Sequence, residues 1–212
     1  EFRRVLFRSG RGGAAQAERL VEERPEEHWL GHENFGAPDE DIESTSGLFE
    51  RLRRDEKYQL DEESYIRARV FDMLIGDWDR HDDQWRWAEF KLENGDHLFK
   101  AIPRDRDQAF SNFDGWVFRN FSKLIGFFNQ FGSYSDNIRD VEWFNRSADN
   151  LDRNLVQNSG REEWLGQAEF LQKTMTDEVI EAAFRQLPGE LQGEGTDEIM
   201  EKMKGRRGNL TD

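Results

Sequence analysis

The sequence predicts a mainly helical chain with one small β-hairpin set between helices. Three observations carry that expectation. Apolar residues recur at helical spacing from Ile66 to Leu74, an alternating segment starts at Trp85, and Asn94-Gly95 supplies a tight turn that folds the chain back on itself.

The elements follow in order. Residues 1–13 read as vector or adaptor sequence: Glu1-Phe2 is what the cloning site GAATTC encodes, and the stretch to Ser9 has no amphipathic pattern before Gly10, Gly12 and Gly13. Residues 14–60 read as an irregular and helical lead-in, with a short helix over Ala14–Arg24 ended by Pro25. Glu26–Ser46 is polar and broken by Gly31, Gly36 and Pro38, which predicts a loop, and Leu48–Arg54 is a short helical piece. Residues 61–212 are expected to form the main unit, itself a fragment of a longer chain. Asp61 caps its first helix, Glu62 and Glu63 fill the first turn, Ile66, Val70, Met73 and Leu74 line one face, and Gly76 ends it.

Gln84–Phe90 and His97–Ile102 then form the hairpin, with Trp85 and Trp87 on one face and Pro103 stopping the second strand. Phe110–Phe131 is aromatic and Gly-interrupted, with a helix expected near Ser122–Phe128. Further helices are expected over Arg161–Lys173, capped by Ser159 or a neighbour, over Asp177–Leu187 after Thr176 and before Pro188-Gly189, and after Thr196.

Composition narrows the function. Seventeen Phe and seven Trp among 212 residues supply a core, while the net charge of −15 repels phosphate backbones and argues against nucleic acid as a partner. The absence of cysteine excludes disulfides, thiolate zinc sites and cysteine nucleophiles. No apolar run approaches the roughly 20 residues that span a bilayer, so no membrane contact by this segment is expected.

Two acidic clusters flank the hairpin. The first is Gly76-Asp77-Trp78-Asp79-Arg80-His81-Asp82-Asp83-Gln84 and the second Pro103-Arg104-Asp105-Arg106-Asp107-Gln108-Ala109-Phe110. Runs of Asp and Arg are ordinarily solvated loops, and their surface ion pairs are worth only about 0–1 kcal/mol. Two such loops brought together by one hairpin, each bracketed by large apolar residues, argue for a site. Phosphoryl transfer needs one carboxylate to orient the attacking hydroxyl and others to hold Mg²⁺ against phosphates.

Asp79-Arg80-His81 with an amide at Gln84 resembles the catalytic loop of the HipA-like, CotH-like and secretory-pathway kinases, and type II phosphatidylinositol kinases share the Asp-Arg core. Asp105 to Phe110, Asp-x-x-x-Ala-Phe, resembles their metal-binding motif. The resemblance implies the C-terminal lobe of a kinase-like α+β fold that uses ATP and Mg²⁺ or Mn²⁺ on an acceptor whose identity stays open. It makes Asp79 the catalytic residue, Asp105 the main metal ligand and Gln84 the loop's metal-ligand position, where the family has Asn or Glu. Asp107 would be a second ligand, as in the CotH-like group. Asn34 to Leu210 also resembles a module of large bacterial envelope proteins that carry a calcineurin-like phosphoesterase domain, which leans the localisation toward the cell envelope.

Lys57 is the only lysine ahead of Asp79, and it lies in a polar stretch unlike a buried strand. The nucleotide-gripping lobe is therefore not legible, and little activity is expected of these residues alone. The main alternative is a catalytically dead kinase-like interaction module. A metallophosphoesterase ranks lower, because Gly76-Asp77-x-Asp79-Arg80 is one residue short of that class's motif and the chain has four histidines. A calcium loop starting at Asp77 fails at Asp82 and Ala88, where Gly and Glu are needed. His81 is expected to be a structural hydrogen-bonder, and Trp78, Trp85 and Trp87 core or cleft wall.

Overall fold

The computed structural model describes residues 42–111 and 133–212. They comprise β1 (Ile42–Glu43), α1 (Thr45–Arg54), β2 (Tyr58–Leu60), α2 (Glu62–Ile75), β3 (Trp85–Lys91), β4 (His97–Pro103), α3 (Val141–Phe144), α4 (Asp149–Leu155), α5 (Arg161–Thr174), α6 (Asp177–Phe184) and α7 (Glu194–Gly208). The class is α+β. The helices expected over Ala14–Arg24 and Ser122–Phe128, and Gly10, Gly12 and Gly13, lie outside the described residues.

Helix α2 organises the rest. The Asp61 carboxylate accepts from the Ser64 N–H at 3.0 Å, a cap worth about 1 kcal/mol. At the other end Gly76 takes the left-handed conformation (φ 77°) and turns its N–H toward the Met73 carbonyl at 3.3 Å. A side chain there would meet the Tyr134 ring, 2.6 Å from an added Cβ. Ile66, Val70 and Leu74 are buried as the spacing predicts, and Met73 is half-buried.

The hairpin forms where Asn94-Gly95 places it, with Trp87 opposite Ala101 and Lys91 opposite His97. Trp85 and Trp87 are fully buried, stacked 5.9 Å apart, with Tyr65 of α2 at 5.0 Å from Trp85. Such aromatic pairs add about 0.5–1.5 kcal/mol each beyond the area they bury.

The sheet is larger than one hairpin. Its order is β1-β3-β4-β2, with β1 antiparallel to β3 and β2 parallel to β4. Tyr-Gln-Leu at residues 58–60 is too short to show an alternation, and its pairing with β4 is a long-range event. The expected loop over Glu26–Ser46 is corrected at its end: Ile42–Glu43 is a strand, and α1 begins at Thr45 because Ser44 accepts the Gly47 N–H at 3.1 Å.

Two apolar clusters share α2. Leu48, Tyr58, Tyr65, Ile66, Val70, Trp85, Trp87, Phe99, Leu151 and Leu155 make one. Leu74 and Ile75, at the helix end, join Phe110, Tyr134, Ile180, Phe184 and Met203 in the other. The segment before Asp61 thus packs into the same core as the rest. The Gly76–Gln84 loop leaves the helix from its second-cluster end.

The later helices follow their expected positions, with differences that have local causes. Thr176 caps α6 as predicted, by accepting from the Val179 N–H at 3.4 Å. Gly160, not Ser159, stands at the cap of α5; the Ser159 hydroxyl donates instead to Glu62 of α2. Helix α6 ends at Phe184, and α7 starts at Glu194 rather than after Thr196. The short α3 and α4 carry no apolar periodicity long enough to read from sequence.

Candidate functional site

The two acidic loops meet over a buried cluster of charge. Asp72, on the inward side of α2, is fully buried and faces three guanidinium groups. Arg80 Nε lies 3.0 Å from its carboxylate, Arg106 approaches at 2.8 Å and Arg69 at 3.7 Å. A buried carboxylate is tolerated only when paired in this way. Arg69 also reaches Asp152 of α4 at 3.1 Å.

Arg80 joins the loops directly. Its Nη1 donates to the Arg104 carbonyl at 2.7 Å and toward that of Asp105 at 3.5 Å, while Nη2 donates to the Gln84 carbonyl at 3.1 Å. The guanidinium lies 4.6 Å from the Trp85 ring. Its fork geometry, always charged and rich in donors, lets one side chain serve Asp72 and three carbonyls together.

Asp77 is fully buried beside this cluster, its carboxylate 3.4 Å from Arg80 Nη1. Its Oδ1 has no hydrogen-bond partner. Burial pushes this carboxyl up to about 8; Arg80 opposes the rise and Asp72 adds to it.

Asp79 is different. Its side chain is 30% exposed, with His81 Nε2 4.0 Å away. It occupies the centre of a three-residue turn, because the Arg80 N–H returns to the Trp78 carbonyl at 3.1 Å. The carboxylate is therefore carried on a turn apex, between half-buried Trp78 and buried Arg80.

The second loop is strained. Asp105 (φ 46°) and Phe110 (φ 56°) both hold left-handed backbone, which costs on the order of 1–3 kcal/mol for each non-glycine residue. Phe110 is held by its N–H to the Ile75 carbonyl at 2.9 Å and by edge contact with Tyr134 at 4.9 Å. Between them Arg106 turns inward to Asp72, leaving Asp105 and Asp107 exposed.

Gln84 is nearly buried, with its amide nitrogen 3.4 Å from His81 Nε2. His81 Nδ1 accepts from the Asp83 N–H at 3.3 Å, the structural role expected of it. Asp82 and Asp83 face solvent. Among the described residues, no group of three or more His, Cys, Asp or Glu side chains converges as a metal cage would require. The donors available are oxygens, which suit a hard cation, but an ion here would need further ligands from elsewhere.

No family model, no curated protein and no solved structure matches the chain. The chemistry of the site has to follow from its own residues.

A half-exposed carboxylate on a tight turn can accept a proton from a hydroxyl or orient it. Two exposed carboxylates on an adjoining strained loop can bind a cation shared with an anionic ligand. Asp72 and Arg106, which fix both loops, were not singled out from sequence. The signal for Asp72 was present: one acid inside the apolar run Val70-Phe71-Asp72-Met73-Leu74.

Proposed function

We propose that these residues carry the catalytic-loop half of an atypical kinase-like phosphotransferase domain. The observation that carries this reading is the Arg80 guanidinium, which fastens the Asp79 loop to the backbone of Arg104 and Asp105. Phosphoryl transfer depends on positioning a hydroxyl-orienting carboxylate against a metal-binding one, and this clamp fixes the two loops that bear them. Asp79 would orient the acceptor hydroxyl and take its proton. Asp105, with Asp107 and Gln84, would face a Mg²⁺ or Mn²⁺ ion that arrives with ATP. When bound, the ion would neutralise charge on the phosphates, whose oxygens complete its shell.

The test is phosphoryl transfer from labelled ATP by the full-length polypeptide with Mg²⁺. Transfer abolished by Asp79→Asn, with melting unchanged, is the expected result. Equal activity in wild type and Asp79→Asn would refute the assignment.

One observation favours a second reading, a catalytically inactive kinase-like interaction module. Lys57, the one lysine ahead of Asp79 in the sequence, sits at the turn before β2 with its ammonium 5.2 Å from the centre of the Tyr58 ring. If the full-length polypeptide binds no ATP analogue by calorimetry, the inactive module is the better account.

A further inference from the structure

We propose that Ser147 is the positioning residue for Asp79. The proposal rests on the reading of Asp79 as the hydroxyl-orienting residue. Ser147 lies outside both acidic loops, 67 residues beyond Arg80. Its hydroxyl nevertheless meets the peptide groups on both sides of Asp79. The Arg80 N–H donates to Ser147 Oγ at 3.0 Å, and the same hydroxyl donates its own proton to the Trp78 carbonyl.

The effect on Asp79 follows from the turn. The Arg80 N–H and Trp78 carbonyl are also the two ends of the three-residue turn centred on Asp79. Asp79 is not among the residues with positive φ, so this is the inverse form, common at loop starts but closed by a single bent hydrogen bond. One hydroxyl acting as acceptor at one end and donor at the other converts that weak closure into a ring of three hydrogen bonds. The turn apex, and the direction in which the Asp79 Cα–Cβ bond leaves it, are then fixed.

Ser147 can impose a direction only if it is itself held. Asn145 and Asp152, on either side of it, are both tied to Arg69 of α2: Nη2 donates to Asn145 Oδ1 at 2.7 Å and Nε to Asp152 at 3.1 Å. The Tyr65 hydroxyl donates to Asp152 at 2.7 Å. Ala148, next to Ser147, is fully buried. The serine is thus anchored to the helix that launches the Asp79 loop, and the loop is tied to that helix at both its start and its apex. Hydroxyl chemistry is required here, since alanine offers neither donor nor acceptor, whereas threonine offers both.

Ser147→Ala and Ser147→Thr in the full-length polypeptide test this by two readouts. Backbone amide exchange should show the Arg80 N–H exchanging at least tenfold faster in Ser147→Ala, with wild-type protection restored in Ser147→Thr. Phosphoryl transfer should show kcat reduced about tenfold in Ser147→Ala, with KM for ATP within twofold and Ser147→Thr near wild type. Unchanged Arg80 exchange in Ser147→Ala overturns the proposal. So does faster exchange with unchanged kcat, which would make Ser147 a contributor to the fold alone. If the wild type transfers no phosphoryl group, the phosphotransferase reading falls and the positioning role with it. Arg80 exchange then still decides whether Ser147 holds the turn.

Discussion

Arg80 Nη1 lies 2.7 Å from the carbonyl oxygen of Arg104, so the first acidic loop is fastened to the second from inside the core. The same guanidinium pairs with Asp72 at 3.0 Å and is fully buried. Removing it takes from Asp72 one of its three guanidinium partners and from the Arg104 and Gln84 carbonyls a buried hydrogen bond each, together a cost of about 3–5 kcal/mol. Arg80→Met should lose that much in urea unfolding. Arg80→Lys should recover little, because a single ammonium cannot reach Asp72 and three carbonyls together. A loss below about 1 kcal/mol for Arg80→Met would mean that the clamp is dispensable.

Gly76 sets where the loop leaves α2. Its left-handed backbone disfavours any other residue, and an added Cβ would stand 2.6 Å from the Tyr134 ring, whose hydroxyl is held by the Leu74 carbonyl at 2.8 Å. Gly76→Ala should therefore cost roughly 2–5 kcal/mol, the conformational and overpacking penalties together. Gly95 also has positive φ, at 88°, but nothing lies within 4 Å of an added Cβ. Gly95→Ala should cost only about 1–2 kcal/mol. Equal losses in thermal unfolding would remove the steric part of the argument.

Asp77 gives the fold a pH dependence. In the unfolded chain this carboxyl titrates near its ordinary 3.8, and in the folded protein burial holds it at about 8. Between those values the folded state binds the extra proton, so Asp77 makes stability fall as pH rises through that window. Below it the penalty is absent, and above it the penalty is complete. Asp77→Asn mimics the protonated form and should flatten the decline, so its advantage over wild type grows from pH 5 to pH 8. Parallel stability profiles for the two proteins would contradict the assignment.

Asp105 is expected to dominate divalent-cation binding. Manganese titration followed by water-proton relaxation should show weak binding, since the loops offer few ligands and hard cations keep waters where ligands are short. Asp105→Asn should weaken it several-fold more than Asp82→Asn or Asp83→Asn, whose side chains face solvent. Equal losses in all three would indicate diffuse attraction by negative charge.

The parts governed by neighbouring residues can be read directly from the amino-acid order. Asp61, Gly76 and Thr176 mark helix ends because caps are closed by groups within four residues. Asn94-Gly95 places the hairpin, and the Trp85–Trp87 alternation chooses its buried face. The two acidic loops were legible as a candidate site from their order around that hairpin, while the choice of Asp79 and Asp105 within them came from the resemblance to kinase-like loops. That β2 runs parallel to β4 and that Arg106 turns inward between two exposed acids emerges only from the packed fold. The same packing places the Ser147 hydroxyl against the peptides flanking Asp79. These contacts join positions tens of residues apart. Their partners are chosen by which surfaces pack, a choice that local backbone preference does not encode.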